Sequence, residues 1–189
     1  GHRICGRLNR IQSIIVPINK LYQQILTIID SITALERLRM HRICLTNDDG
    51  PASVGLKKLA ASLGESHDLL VVVPDSQRSG SGKALTLSRP IRILDRSDTG
   101  KYKVIVHDGL PADSVAIALS EREDFDLFVS GINPGANLGY HRMLTSGTIG
   151  AAMEAALQGY PAIAISQDVE SKYWFTREGT EINLDSICM

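Results

Sequence analysis

The chain has 189 residues, enough for one domain with a substantial buried core. Its 20 Lys and Arg against 21 Asp and Glu leave a net charge of -1, so it lacks the basic excess that binding a nucleic-acid polymer needs. No apolar run reaches the ~18 residues of a membrane span. Cys5, Cys44 and Cys188 are too scattered for a disulfide framework or a zinc pattern and point to a reducing, cytoplasmic setting.

Residues 1–39 differ in character from the rest of the chain. They hold no acid before Asp30, while Arg3, Arg7, Arg10 and Lys20 are basic. Ile14, Ile18, Leu21, Ile25, Ile28, Ile32 and Leu35 alternate spacings of 4 and 3, an a/d pattern that predicts a helix within 17–38 with Ile18, Leu21, Ile25, Ile28, Ile32 and Leu35 on one buried stripe. The expectation is that this stripe packs onto its own domain. Pairing between subunits and a transit peptide are the alternatives. Met40 reads as the start of the catalytic domain, with residues 1–39 as an N-terminal extension.

From Met40 on, strand-like and helix-like segments alternate. Strands are predicted at 42–46, 69–74, 103–107, 126–130 and 162–166, and helices at 54–64, 112–122 and 147–158. This alternation implies an α/β, Rossmann-like fold: a mainly parallel sheet with helices on both faces. Ligands in such sheets bind beyond the carboxyl ends of the strands. The loops after 42–46, 69–74 and 126–130 are therefore the informative ones.

The first of these loops is Asn47-Asp48-Asp49-Gly50. Asp-Gly is a common turn, but two adjacent acids at a strand end also offer hard oxygen ligands suited to magnesium or manganese. The second runs from Pro74 to Lys83 and includes Ser79, Gly80, Ser81 and Gly82, a loop able to present N–H groups to a phosphate. It is no Walker loop, because Gln77 and Ala84 stand where Gly and Ser or Thr are needed, and Leu85 breaks the dinucleotide fingerprint. The third, Ser130 to Gly139, combines special-angle residues with Asn133 and Asn137. Asn133 can complete a metal site and Asn137 can donate to phosphate. Finally Thr145-Ser146-Gly147-Thr148 opens a helix. Ser146 there is an ordinary N-cap, but three hydroxyls at a helix N-terminus also make a phosphate site. His41, His67, His107 and His141 could include a general acid, and of these four only His141 lies near a site loop.

Together these motifs resemble the SurE (survival protein E) family. The resemblance runs over Ile43 to Gly50, Pro74-Asp75 through Arg78-Ser79-Gly80, Pro111-Ala112-Asp113, Ser130 to Asn133 with Gly135, Asn137, Leu138 and Gly139, and Ser146 to Thr148 with Gly150 to Glu154. It implies 5′- and 3′-nucleotidase activity on nucleoside monophosphates, in some members exopolyphosphatase activity, and dependence on a divalent metal, Mg or Mn. It also implies dimers or tetramers. By motif, Asp48, Asp49, Ser79 and Asn133 would hold the metal, with Asp48 and Asp49 catalytic. Asn137, Ser146, Gly147 and Thr148 would bind the phosphate. Members of the family run on well past position 189, so the phosphatase domain, 40–189, reads as incomplete at its C-terminus. Two rival readings are a catalytically silent nucleotide- or metal-binding module and a receiver-like phosphoacceptor domain built on the Asp48–Asp49 pair.

Overall fold

The computed structural model describes residues 12–13 and 40–168. In chain order the elements are β1 (Gln12–Ser13), β2 (Arg42–Thr46), α1 (Val54–Leu63), β3 (Asp68–Pro74), β4 (Ile93–Asp98), β5 (Lys103–His107), α2 (Pro111–Glu121), β6 (Leu127–Pro134), α3 (Gly139–Thr145), α4 (Gly147–Leu157) and β7 (Ala162–Gln167). The helix expected within 17–38 lies outside the described residues. Of the segment that holds it, β1 pairs in parallel with β7, Gln12 opposite Ile163.

The sheet has the order β1-β7-β6-β2-β3-β5-β4, with every pair parallel except β4 with β5. The chain moves outward from β2 to β3, on to the edge strand β4 and back to β5 between them, then crosses to the other side of β2 with β6 and β7. The point where the winding direction changes therefore lies between β2 and β6, which in an open parallel sheet is where the loops diverge and leave a crevice.

The alternation of side chains along each strand sends successive residues to opposite faces. Ile43, Leu45, Val71 and Val73 pack on one face with Leu56, Leu59 and Ala60 of α1. Cys44, Leu70 and Val72 pack on the other with Val115 and Ala118 of α2 and Ala155 of α4. Both faces are covered, which is why the central strands read as nearly continuous aliphatic runs. Burying each Val, Leu or Ile stabilises the fold by roughly 1.5–3 kcal/mol. Phe125, Phe128 and Tyr160 close one end of the second face, with ring centroids 5.0 and 5.2 Å apart in edge-on contacts.

Local chemistry starts the helices. Ser53 accepts from Leu56 N at the head of α1, and Ser146 accepts from Ile149 N at the head of α4. Pro111 opens α2, where Asp113 accepts from Leu110 N at 2.7 Å. Helix α4 is rich in Gly and Ala along its buried side, which lets it approach its neighbours closely. A Cβ on Gly150 would stand 2.0 Å from the carbonyl oxygen of Gly82.

Five strands and three helices match the sequence expectation to within a few residues. Besides β1, which is not expected, three features do not. The strand β4 is absent from that expectation: all six of its residues are exposed, so no buried alternation marks it. Helix α3 is absent from it too, because it is short and buries no residue. The expected loop from Ser130 is in fact strand as far as Pro134. The pairing of β6 with β7 is interrupted after Ser130 and resumes at Asn133. Gly131 makes this possible: its φ is +132°, and a Cβ there would stand 2.4 Å from the carbonyl oxygen of Ile165.

Candidate active site

The carboxyl ends of β2 and β6, the loop after β3 and the segment 133–146 enclose one cleft of about 200 Å³. Its walls include Asp48, Asp49, Ser79, Asn133, Asn137 and Ser146, six of the eight positions singled out in the sequence. Gly147 and Thr148 do not line it. Thr148 is fully buried.

Asp48 is 3% exposed. The Thr148 hydroxyl donates to its Oδ1 at 2.6 Å, across 100 positions of sequence. Burial pushes the Asp48 carboxyl above the usual carboxylate range, while the Thr148 hydroxyl and backbone N–H groups of residues 48, 148 and 147 favour its charged form. The head of α4, expected to meet a phosphate directly, therefore meets Asp48 first. Its N–H groups and partial positive charge suit a carboxylate as well as a phosphate. Gly147 is required by this contact, since a Cβ there would lie 2.8 Å from Asp48 Cβ and 2.7 Å from Ser81 Oγ.

Asp49 is less well served. Its Oδ2 is buried without a hydrogen-bond partner. Burial first, and then the charge of Asp48, push its carboxyl up to about 7, against the pull of the Gln77 side chain. Neither aspartate makes an ion pair among the described residues. A buried carboxylate beside a half-buried one whose inner oxygen is unpartnered is costly unless a cation joins them. The neighbouring donors fit that need. Asn133 donates its amide N–H to Gly135 O at 2.8 Å, leaving its carbonyl oxygen as its contribution to the cleft, and Ser79 adds a hydroxyl on the facing loop. Among the described residues no group of three or more His, Cys, Asp or Glu converges on a point. A cation here would thus be held by two carboxylates and neutral oxygens, the hard, all-oxygen set of magnesium or manganese rather than zinc.

The loop after β3 is fastened on several sides. Asn47 closes its own turn by bonding Gly50 through both ends of its amide. Arg78 N donates to Asp48 O at 2.7 Å and Gly82 N to Thr145 O at 2.9 Å. Lys83 pairs with Glu154 of α4 at 2.5 Å. Farther along, Thr86 donates to Asp113 through both its N–H and its hydroxyl. Asn137 donates to Ser166 Oγ at 2.8 Å, which anchors its side chain on β7 beside the cleft.

Sequence reasoning missed Arg142, and it read Thr145 only as one of the hydroxyls before α4, not as part of a separate helix. They stand three residues apart on α3, and both line the cleft. Because no sequence signal marks α3, the i, i+3 relation that brings them together is not legible in the sequence either. His141 is exposed and does not line the cleft. His107 is fully buried, with Nε2 2.8 Å from Ser114 Oγ and Nδ1 accepting from Gly109 N.

Fold and site together define an α/β protein with an acidic, oxygen-lined cleft at the switch point of a mainly parallel sheet. The model of the Survival protein SurE family matches residues 43–185, and the chain belongs to that family. It is 45% identical over 130 residues to the "5'-nucleotidase SurE" of Solidesulfovibrio magneticus, covering 67% of this chain and 50% of that protein. It is 48% identical over 127 residues to the protein of the same name from Archaeoglobus fulgidus, covering 66% and 48%. The crystal structure of the SurE protein from Aquifex aeolicus superposes with a TM-score of 0.60 at 36% identity, covering 68% of this chain and 52% of that one. The chain thus spans about half the length of the curated relatives it matches.

Proposed function

We propose that this chain carries the metal-dependent phosphomonoester-hydrolysing site of a nucleotidase that acts on nucleoside 5′- and 3′-monophosphates. The observation that carries this reading is the Asp48–Asp49 pair. A buried carboxylate, Asp48, and a half-buried one, Asp49, with one buried and unpartnered oxygen, stand in a cleft whose other walls offer neutral oxygens and N–H donors. The names of the relatives from Solidesulfovibrio magneticus and Archaeoglobus fulgidus agree with it.

Asp48, Asp49, Ser79 and Asn133 would hold the cation. When bound, it supplies positive charge that polarises a phosphoryl group and lowers the pKa of water. The remaining work falls to the protein. Thr148 and the head of α4 fix Asp48 in direction and offset part of the push that burial gives against its charge. Asp49, unpartnered at Oδ2, is the group in place to accept a proton from an attacking water. Ser146 and the second N–H of the Asn137 amide are donors for phosphoryl oxygens, whose growing charge in the transition state they would stabilise. Mg or Mn dependence, assembly into dimers or tetramers and a cytoplasmic location belong to the same proposal. Among the described residues no helix is long and apolar enough to cross a membrane.

The receiver-like alternative calls for a lysine at the cleft. Among the described residues no lysine lines it, and Lys83 is engaged with Glu154. The silent-module alternative is decided by phosphate release from a panel of nucleoside monophosphates, with and without Mn²⁺. Metal-dependent release is expected for 5′ and 3′ substrates. Measurable Mn²⁺ binding without release from any of them would establish the silent module instead.

A further inference from the structure

We propose that Arg142 is the residue that anchors the phosphoryl group in this cleft; the assignment rests on the phosphatase reading and adds to it a residue that the motifs do not supply. Among the described residues lining the cleft, Arg142 alone is a permanent cation, while Asp48 and Asp49 supply negative charge. Its place is set from two sides. Its guanidinium donates to the carbonyl of Ala136, the neighbour of Asn137. Its own carbonyl accepts from Ser146 N at 3.0 Å, so it stands one helical turn before the cap of α4. Asn137, Ser146 and Arg142 thereby share the wall of the cleft, and Thr145, on the same side of α3, lines it too, its hydroxyl donating to His141 O.

A phosphomonoester is dianionic near neutral pH, and a cation bound by the two aspartates would neutralise it from one side only. The head of α4 is already directed at Asp48. A guanidinium offers five donors in a planar fork that matches two phosphoryl oxygens at once. Arg142 is exposed at the cleft and is not part of the core.

The test uses the 189-residue chain and two probes, Mn²⁺ alone and inorganic phosphate with and without Mn²⁺, both followed by calorimetry. Arg142→Gln should weaken phosphate binding by roughly ten- to a hundredfold. Arg142→Lys should recover part of the loss, and Mn²⁺ affinity and melting temperature should stay as in the parent. Binding of phosphate by the parent should also fall more steeply with added salt than binding by Arg142→Gln, a difference that a purely structural role would not produce. Equal phosphate affinity in parent and Arg142→Gln overturns the assignment. A parent that binds Mn²⁺ and no phosphate overturns both this assignment and the phosphatase reading. If the parent binds phosphate, loses it in Arg142→Gln and yet hydrolyses no phosphomonoester, Arg142 stands as the anion anchor and only the hydrolase reading falls.

Discussion

Asp48 and Asp49 are adjacent in sequence and opposite in circumstance. Asp48 has its partners at the head of α4, while Asp49 is left with a buried, unpartnered oxygen. Asp48→Asn should abolish Mn²⁺-dependent phosphate release while leaving the fold intact, because the asparagine can still accept from Thr148. Unchanged Mn²⁺ affinity in that variant would remove Asp48 from the metal site. Gly147→Ala tests the packing beneath the same carboxylate. Its Cβ would meet Asp48 Cβ at 2.8 Å, backed by the fully buried Thr148. Overpacking of this kind costs about 1–3 kcal/mol, so the urea midpoint should fall and activity with it. A variant as stable and as active as the parent would show that the contact yields freely.

At the scale of elements, the site depends on how the loop after β3 is fixed to α4. Glu154 is 5% exposed, and burial opposes its charge, but Gln158 and Lys83 outweigh that cost and hold its carboxyl below the usual glutamate value. Lys83→Met leaves this carboxylate buried with Gln158 as its remaining side-chain partner. Allowing for the partial exposure of Lys83, the loss should be about 1–3 kcal/mol. The double variant Lys83→Met, Glu154→Leu should recover part of it, because a buried pair replaced by apolar groups is often neutral. Chemical denaturation of the parent, the two single variants and the double variant forms a double-mutant cycle. Strict additivity would mean that the pair is not coupled.

At the scale of the whole molecule, two levers act on stability. A cation that binds only the folded state stabilises it by mass action, about 2.7 kcal/mol at a hundredfold excess over its Kd. For a chain of this size that is several degrees in Tm. Mn²⁺ should raise the Tm, and Asp48→Asn should lose the increase. The second lever is pH, through His107. Burial lowers its pKa from 6.5 to about 4, against the opposing charges of Asp113, Asp108 and Asp75. Between those values the unfolded chain binds a proton that the folded chain does not, so stability falls as pH drops from 6.5 toward 4, by at most about 3 kcal/mol. Above 6.5 the group contributes no pH dependence. Unfolding midpoints measured across this range should slope more steeply for the parent than for His107→Gln, and equal slopes would exclude His107 as the cause.

What the sequence determined by itself are the features whose physics is local. The aliphatic runs 42–46 and 103–107, the cap at Ser146 and the Pro111–Asp113 start of α2 each depend on neighbours within a turn or two, and the structure holds them where the sequence puts them. The β/α alternation is enough to place Asn47–Gly50, Ser79, Asn133 and Asn137 on one edge of the sheet. Tertiary structure alone decided the rest. That Thr148 serves Asp48 rather than the cavity depends on a contact across 100 positions, and nothing near Thr148 in sequence signals it. The extension of β6 through Asn133 depends on Gly131 passing close to β7. The strand β4 and helix α3 bury nothing, so they leave no hydrophobic period to read. Arg142 reaches the cleft only because α3 exists. Local propensity marks where a helix or strand begins, but which side chains share a cavity depends on elements far apart in sequence and brought together by burial of the core.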